Sequence, residues 1–431
     1  MNGYFFKEEI LKNLNRRLFN KGLAAGVLGT LASPALARAQ GAGKVVVIGG
    51  GTGGATVARY LKKDSPELDV TLVEVNRQYT TCFFSNWYLG GFRTFESITH
   101  SYDTLASDYG VTVAHAMAVG VDATARTVAL EDGSRLSYDK LVLSPGISFR
   151  EIEGYGAAEM ETMPHAYKPG PQTILLRNVV EGMVQGGTFV MAAPGNPYRC
   201  PPGPYERVSV IANYFKNNNP TAKILVIDPK AKFSKKGLFQ EAWDKYYPGM
   251  IEWVGSDFTE GSIARIGNME VEDGSGEVYR GDAVNVIPSQ KAGMIAQIAG
   301  ATDETGWCPI NPTDFSSTLL PDTYVLGDSS IAGAMPKSGF AANSHAKAVA
   351  NAIRAELTGA RAFPTRLRNT CWSMVAPDDA IKVGAAYTIA DSSINSKDVF
   401  LSALGESAAK RSATFQEAIG WYDGITSDMF G

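Results

Sequence analysis

The residues of this 431-residue chain with the most distinctive chemistry are its four cysteines, Cys82, Cys200, Cys308 and Cys371. Cys200 lies in "YRCPPGPYER", after a predicted strand and six positions before Glu206. Open α/β sheets place ligand chemistry at the carboxyl ends of their strands. A thiol beside Arg199 and near a carboxylate is typical of a tuned nucleophile with a proton carrier. The alternative is a structural cysteine in a proline-rich turn. Arg199 and Arg207 are expected to be solvated surface charges.

The cysteine spacing argues against several other kinds of site. The chain contains no CxxC pair and no CxxCH for covalent haem attachment. Four cysteines allow three full pairings, and spacing alone does not choose between them. We expect no metal site, since zinc sites use paired ligand spacing and the histidines are scattered, at His100, His115, His165 and His345.

A glycine motif near the start of the chain indicates a dinucleotide. "KVVVIGGGTGGATVARYLKK" predicts a buried strand and then a helix, joined by Gly49-x-Gly51-x-x-Gly54. Glu74 ends the next predicted strand, twenty residues after Gly54. Such glycines permit a tight turn and close approach of a pyrophosphate, and the acid takes the ribose hydroxyls.

Later segments favour FAD over NAD in this first domain. "YDKLVLSPGI" predicts a strand that ends in Pro145-Gly146, and "LLPDTYVLGDSS" one that ends in Gly327-Asp328. We expect Asp328 to reach the ribityl or phosphate side of the flavin. The next helix begins near Lys337, Ser338 and Gly339, and its N-terminus can stabilise negative charge on the reduced ring.

The pattern of strands and helices predicts an α/β flavoprotein of the disulfide-reductase kind. Two Rossmann-like domains are expected, the first being an FAD-binding domain formed by residues 40–150 and 298–366. The second covers residues 151–297, and its turn "AAPGNPYRCPPGP" lacks a nicotinamide glycine motif. Residues 367–431 are expected to form a C-terminal α+β interface domain.

The N-terminus has the pattern of an export signal. Arg16 and Arg17 precede an apolar stretch of about 16 residues, too short to span a bilayer. "ALARAQ" then offers a cleavage site after Ala39, so residues 1–39 are predicted to be a twin-arginine signal peptide leading to the periplasm. We expect no membrane span, and the net charge of −4 gives no basic face for nucleic acid.

Several longer segments together resemble one known family. "YTTCFFSN", "HAYKPGPQT", "YRCPPGPYERVS", "MPKSGFAANS", "NTCWSMVAP" and "WYDGITSDMFG" are similar to the flavoprotein subunit of flavocytochrome c sulfide dehydrogenases. The resemblance runs over essentially the whole mature chain. It implies FAD bound covalently through the sulfur of Cys82, and a redox-active disulfide between Cys200 and Cys371. It also implies Glu206 as the base near the sulfide, and a separate c-type cytochrome subunit that carries haem c.

The activity implied by this resemblance is oxidation of sulfide to zero-valent sulfur or polysulfide, with electrons passing through FAD to the cytochrome. Cys308 is then left as a buried thiol. One alternative is a sulfide:quinone oxidoreductase, and another is an NAD(P)H-dependent disulfide reductase, disfavoured by the missing second glycine motif. A third is an exported FAD-binding protein with no turnover. The aromatic residues of the C-terminal "GWYDGITSDMF" can be core or a docking surface.

Overall fold

The computed structural model describes residues 43–431. The signal peptide predicted for residues 1–39 therefore lies outside the described residues. Within them the chain alternates strands and helices, as the sequence pattern predicts.

The strands and helices of residues 43–431 are numbered here in chain order. The strands β1–β22 are Lys44–Ile48, Asp69–Val73, Gln78–Thr80, Thr99–Ser101, Thr112–Ala114, Ala118–Asp122, Thr127–Leu130, Arg135–Ser137, Lys140–Leu143, Ile147–Phe149, Thr188–Ala192, Lys223–Ile227, Ile251–Val254, Ile263–Gly267, Glu270–Asp273, Val278–Arg280, Ala283–Val286, Gln290–Ala292, Thr323–Val325, Leu367–Ala376, Asp379–Ala390 and Ser393–Leu401. The helices α1–α11 are Thr52–Asp64, Ser85–Leu89, Asp103–Ser107, Ala157–Thr162, Pro171–Glu181, Gly203–Asn218, Lys236–Tyr246, Ser256–Thr259, Met294–Ile298, Gly339–Thr358 and Ala408–Phe430. None of these helices is long and apolar enough to cross a membrane.

The first parallel sheet has the order β19-β9-β1-β2-β5. Its central strand β1 is apolar from Val45 to Ile48, and these side chains are buried, as expected for a strand covered on both faces. Helices α1 and α10 pack against each other beside this sheet. The sheet thus combines strands from residues 44–143 with β19, far along the chain.

The second parallel sheet has the order β13-β12-β11-β17. Strand β11 leads through a proline-rich turn into α6, so Cys200 lies beyond the carboxyl end of a central strand. A short antiparallel pair, β10 with β18, lies where the chain passes between the two sheet-forming segments. These two parallel sheets confirm the predicted α/β class.

The C-terminal region is an antiparallel sheet, β20-β21-β22, followed by the long helix α11. The end of α11 packs on the first domain, where Arg59 Nε donates to the carbonyl oxygen of Gly431 at 2.6 Å. Tyr422, Met429 and Phe430 are buried, so these aromatic and apolar residues belong to the core. The domain limits given above stay a prediction.

Candidate active site

The turn between β11 and α6 fixes the backbone around Cys200. Cys200 has a left-handed φ of +54°, and its N–H donates to the carbonyl oxygen of Lys337 at 2.6 Å. Its carbonyl oxygen accepts from the N–H of Gly203 at 2.7 Å and from the Tyr167 hydroxyl at 3.2 Å. These bonds hold the thiol at the N-terminus of α6.

Gly203 leaves room for this thiol. A Cβ atom at position 203 would lie 2.9 Å from Cys200 Sγ and 2.8 Å from the Tyr167 hydroxyl. We therefore expect Gly203→Ala to lower the free energy of unfolding by about 1–3 kcal/mol through overpacking, measured by denaturant titration. Gly424→Ala is the matched control, because a Cβ there has no atom within 4 Å. Equal stability of the two variants would contradict this account of Gly203.

Strand β20 brings Cys371 to the same place. The Cys371 thiol is half-buried, and Asn369 Nδ2 lies 3.4 Å from its sulfur. Ser338 Oγ in turn donates to Asn369 Oδ1 at 2.5 Å. Burial, followed by charge on Cys371 and Glu206, raises the pKa of Cys200 well above its usual value. Cys200 and Cys371 therefore lie close enough for their charges to interact, and the structure describes them as two thiols, the reduced form of such a pair.

A cavity of about 210 Å³ opens beside Cys371. Its wall includes Pro201 and Pro202, next to Cys200, and Val383, Ala385 and Tyr387 from β21. The wall is mainly apolar, so this cavity gives a small, weakly hydrated species access to the cysteine pair.

Glu206 lies in the first turn of α6 and is buried. The Asn86 amide donates to its Oε2 at 2.9 Å, and the Trp87 indole donates to its Oε1 at 3.2 Å. The backbone N–H of Met374, on the strand that carries Cys371, also donates to Oε1, at 2.9 Å. Burial raises the pKa of Glu206 although these donors oppose the rise. A buried carboxyl group with a raised pKa beside two thiols can take up and release a proton during the reaction.

Lys235 is a site residue that the sequence analysis missed. It is 8% exposed, and its Nζ donates to the carbonyl oxygen of Cys371 at 3.1 Å and to Ser373 Oγ at 2.8 Å. "KFSKKGLF" resembles an ordinary surface segment. The available signal was its place after β12, at the carboxyl edge of the second sheet, where ligand chemistry concentrates.

The glycine motif forms a close turn between β1 and α1. Gly49 has a φ of +100°, and a Cβ there would lie 2.4 Å from the carbonyl oxygen of Ser144. A Cβ on Gly54 would lie 1.7 Å from the carbonyl oxygen of Gly49. A Cβ on Gly51 would lie 3.5 Å from the Tyr79 ring, at ordinary contact distance. These positions suit a pyrophosphate at the N-terminus of α1.

Glu74 follows β2 and faces the glycine turn. One oxygen of its carboxylate accepts from the N–H of Gly50 at 2.8 Å, and the other from the N–H of Asn76 at 2.8 Å. The carboxylate is thus held at the edge of the sheet where a ribose would lie.

The residues predicted to hold the flavin half of FAD are called here the flavin-side residues: Pro145, Gly146, Gly327, Asp328, Lys337, Ser338 and Gly339. The first two lie close to the Gly327-Asp328 strand end. Gly146 has a φ of +66°, and its carbonyl oxygen accepts from the Ser329 hydroxyl, just after Gly327-Asp328. Pro145 packs against Gly293, where a Cβ would lie 2.7 Å from its ring. Asp328 Oδ1 is buried and has no hydrogen-bond partner among residues 43–431. An orphan carboxylate oxygen here fits a ribityl hydroxyl donor, so the residues present fit FAD.

The turn before α10 carries the remaining predicted flavin-side residues. Lys337 Nζ donates to the carbonyl oxygens of Asp328 and Ser330, both at 2.8 Å, and burial lowers its pKa to about 8. Ser338 caps the helix by accepting from the N–H of Ala341. Gly339 faces Phe83, where a Cβ would lie 2.6 Å from the ring.

Two arginines were expected to be solvated, but Arg207 is buried and Arg199 is half-buried, so that expectation was wrong. Arg199 Nε donates to Asp328 Oδ2 at 2.6 Å, which joins the second sheet's turn to the flavin-side residues. Arg207 is 1% exposed and donates to the carbonyl oxygens of His165 and Ala166. Both guanidinium groups therefore fix the turn that carries Cys200.

Cys82 lies just before α2 and is half-buried. Burial raises the pKa of its thiol, and the charges of Arg199 and Asp328 act on it. Charge on Cys82 also acts on Cys200. Cys82 is thus close enough to Arg199, Asp328 and Cys200 for their charges to interact.

Cys308 lies beside the segment after Asp328 and not beside the cysteine pair, since its N–H donates to the carbonyl oxygen of Ser329 at 2.9 Å. Its side chain is fully buried, which confirms the expected buried thiol, and burial raises its pKa to about 12. Within residues 43–431, no group of three or more histidine, cysteine or acidic side chains is arranged to hold a metal ion.

Comparison with protein families gives three matches along the chain. Residues 173–288 match the central domain of the sulfide dehydrogenase (flavocytochrome c) flavoprotein chain. Residues 364–430 match the flavin-binding domain of flavocytochrome c sulphide dehydrogenase. Residues 43–170 match the pyridine nucleotide-disulphide oxidoreductase family.

The chain is also similar to individual proteins of sulfide metabolism. A sulfide dehydrogenase (flavocytochrome c) flavoprotein chain of Chlorobaculum thiosulfatiphilum is 54% identical over 46 residues, 11% of this chain and 96% of that sequence. A sulfide-quinone reductase of Aquifex aeolicus is 35% identical over 104 residues, which is 24% of each chain.

Solved structures show the fold. The sulfide:quinone oxidoreductase structure from Aquifex aeolicus superposes with a TM-score of 0.70 at 18% identity, over 90% of this chain and 92% of that one. Putidaredoxin reductase, in its covalent complex with putidaredoxin, gives 0.63 at 16% identity, over 81% and 82% of the two chains. Both likenesses confirm a flavin and disulfide oxidoreductase architecture.

Proposed function

Because the chain belongs to the family of flavocytochrome c sulfide dehydrogenase flavoprotein chains, we propose that it oxidises sulfide through a Cys200–Cys371 disulfide and bound FAD. The product is zero-valent sulfur or polysulfide, and the electron acceptor is a c-type cytochrome subunit that carries the haem. The observation that supports this most is the proximity of Cys200, Cys371 and the buried Glu206, with a cavity that opens beside Cys371.

The chain's own residues account for the sulfur chemistry. Hydrosulfide attacks one sulfur of the disulfide, which leaves a persulfide on one cysteine and a thiolate on the other. A second hydrosulfide then removes the outer sulfur of the persulfide as polysulfide, which leaves both cysteines reduced. Glu206 takes up the proton of the attacking sulfide, since burial raises its pKa and so makes it a stronger base. The apolar cavity beside Cys371 limits the water that reaches the persulfide.

The flavin-side residues support the cofactor part of the proposal. Gly49, Gly51, Gly54 and Glu74 would hold the adenosine and pyrophosphate half. Asp328, with its orphan oxygen, and the turn of Lys337, Ser338 and Gly339 would hold the flavin half. When bound, FAD accepts two electrons from the reduced cysteine pair and releases them singly to a haem.

We further propose that FAD is attached covalently through Cys82. The expected result is that acid denaturation precipitates the polypeptide together with its flavin, and that the peptide containing Cys82 carries the mass of FAD. Cys82→Ala should release the flavin into the supernatant, whereas Cys308→Ala should retain it. Wild-type flavin found in the supernatant would rule out the bond.

Localisation is part of the same proposal. The Arg16-Arg17 pair and the cleavage pattern at Ala39 support twin-arginine export of a folded, cofactor-loaded protein to the periplasm. A covalent flavin suits such a destination, because the cofactor cannot be lost after export. Fractionation of cells that express the full chain, compared with Arg16→Lys/Arg17→Lys, tests this part directly.

A quinone is the second candidate acceptor, favoured by one observation. Val399, Phe400, Leu401 and Leu404 are between 43% and 65% exposed, and Val399 also lines the cavity beside Cys371. Such an apolar run is typical of a membrane-associated surface. Sulfide-dependent reduction of cytochrome c, measured against reduction of a soluble ubiquinone analogue, decides between the two acceptors. Faster quinone reduction would favour the second candidate.

A further inference from the structure

The side chain of Lys235 is a buried ammonium without a carboxylate partner among residues 43–431. Its Nζ has three acceptors, and all are neutral: the carbonyl oxygens of Cys371 and Ile381 and the hydroxyl of Ser373. A buried lysine usually has a paired charge. The charges that act on Lys235 from nearby are those of Cys371, Glu206 and Cys200.

The contacts also fix where the ammonium lies. Lys235 has a left-handed φ of +64° and immediately precedes α7. Its side chain reaches from this loop to β20, where two of its acceptors belong to Cys371 and Ser373. The charged end is thus anchored at the strand segment that carries the Cys371 sulfur.

We infer that Lys235 is a positioning residue for Cys371: in the reduced cysteine pair its ammonium stabilises negative charge on the Cys371 sulfur. The thiolate is the reactive form of a cysteine, so this charge keeps Cys371 reactive in a site where burial favours the neutral thiol. The effect of this charge on sulfide oxidation rests on the proposed function, but the charge interaction itself does not.

The surroundings of the pair give the sign of the pH effect. Burial raises the pKa of Cys371, whereas Asn369 and the Lys235 charge lower it. Burial lowers the pKa of Lys235 to about 8, against the effect of the nearby cysteines and Glu206. Arg411 acts on Lys235 from α11, but it also has acidic partners, among them Glu241 at 2.7 Å. Tyr387 faces Cys371 from β21. Lys235 therefore loses its charge, and Cys371 its support, as pH rises through about 8.

The test measures the thiol rather than turnover. In the FAD-loaded Cys200→Ser protein, Cys371 cannot form the disulfide, and its alkylation by iodoacetamide is followed by peptide mass spectrometry from about pH 6 to pH 10. We expect Lys235→Met in this background to raise the apparent pKa by about one unit or more, so that alkylation is roughly tenfold slower below that pKa.

Three variants control the result. Lys235→Arg keeps a charge and should restore most of the alkylation rate, whereas Lys232→Met removes an exposed charge three residues away and should change nothing. Lys235→Gln also removes the charge but keeps a hydrogen-bond donor for Ser373. It replaces Lys235→Met in the measurement if the methionine variant loses its flavin. An unshifted alkylation pKa in a flavin-loaded Lys235→Met or Lys235→Gln protein would overturn the inference. No sulfide is used, so failure of wild-type protein to oxidise sulfide would count against the proposed function alone.

Discussion

Replacing Cys371 with serine is expected to lower sulfide-dependent cytochrome c reduction by at least about 10⁴-fold, because groups that act as a unit in covalent catalysis lose nearly all of their effect together. The FAD content should stay unchanged. Cys371 lies on β20 of the C-terminal sheet, whereas the glycine motif, Glu74 and Asp328 belong to other parts of the chain. The rate is measured anaerobically with excess cytochrome.

The matched control for this change is Cys308→Ala. Cys308 is a thiol of the same chain that is fully buried and apart from the cysteine pair, so its loss should leave the rate close to that of the wild type. Cys200→Ser should lower the rate of cytochrome c reduction as much as Cys371→Ser does. The double variant should be no slower than either single variant. A Cys371→Ser protein that kept a substantial part of its turnover would exclude the disulfide route.

Glu206→Gln is expected to lower the sulfide-dependent rate by about 10²–10⁴-fold, the usual contribution of a general acid or base. The carboxylate must be ionised to accept a proton. Because burial raises the pKa of Glu206, the wild-type rate should rise with pH through a value above the ordinary range for glutamate. The glutamine variant should lose this acid limb of the pH profile.

The control is Glu67→Gln, the same chemical change at an exposed position of the first domain, which should preserve both the rate and the profile. Stopped-flow measurement of flavin reduction by sulfide from about pH 5 to pH 9 separates the two variants. If the acid limb of the pH profile persisted in Glu206→Gln, a group other than Glu206 would be the one that accepts the proton. Since Asn86 donates to Glu206, the stability of the variant must be measured alongside.

The residues that are predicted to bind FAD could be found from the sequence because their motifs are short and local. Gly49, Gly51 and Gly54 lie within one turn, and Glu74 follows at the end of the next strand. The strand that ends in Gly327-Asp328 was also recognisable, although it is far along the chain. What spacing did not provide was the partner of Asp328, because Arg199 belongs to another sheet and was expected to be solvated.

The surroundings of Cys200 and Cys371 could not be found in the same way, because they are formed by contacts between residues far apart in the sequence. Glu206 meets Asn86 across 120 positions and Met374 across 168 positions. The pairing of Cys200 with Cys371 came from a family resemblance and not from the residues alone. Lys235 gave no composition signal, since its burial results from the way β20 and the loop before α7 pack together.

The measurement that tests the central claim most directly is anaerobic mixing of sulfide with the oxidised holoprotein, followed by rapid alkylation and peptide mass analysis. The account predicts that the Cys200–Cys371 bond opens as the flavin is bleached, and that one of these two peptides carries an extra sulfur atom. Flavin bleaching with the Cys200–Cys371 bond intact, or with both thiols free before sulfide is added, would contradict it.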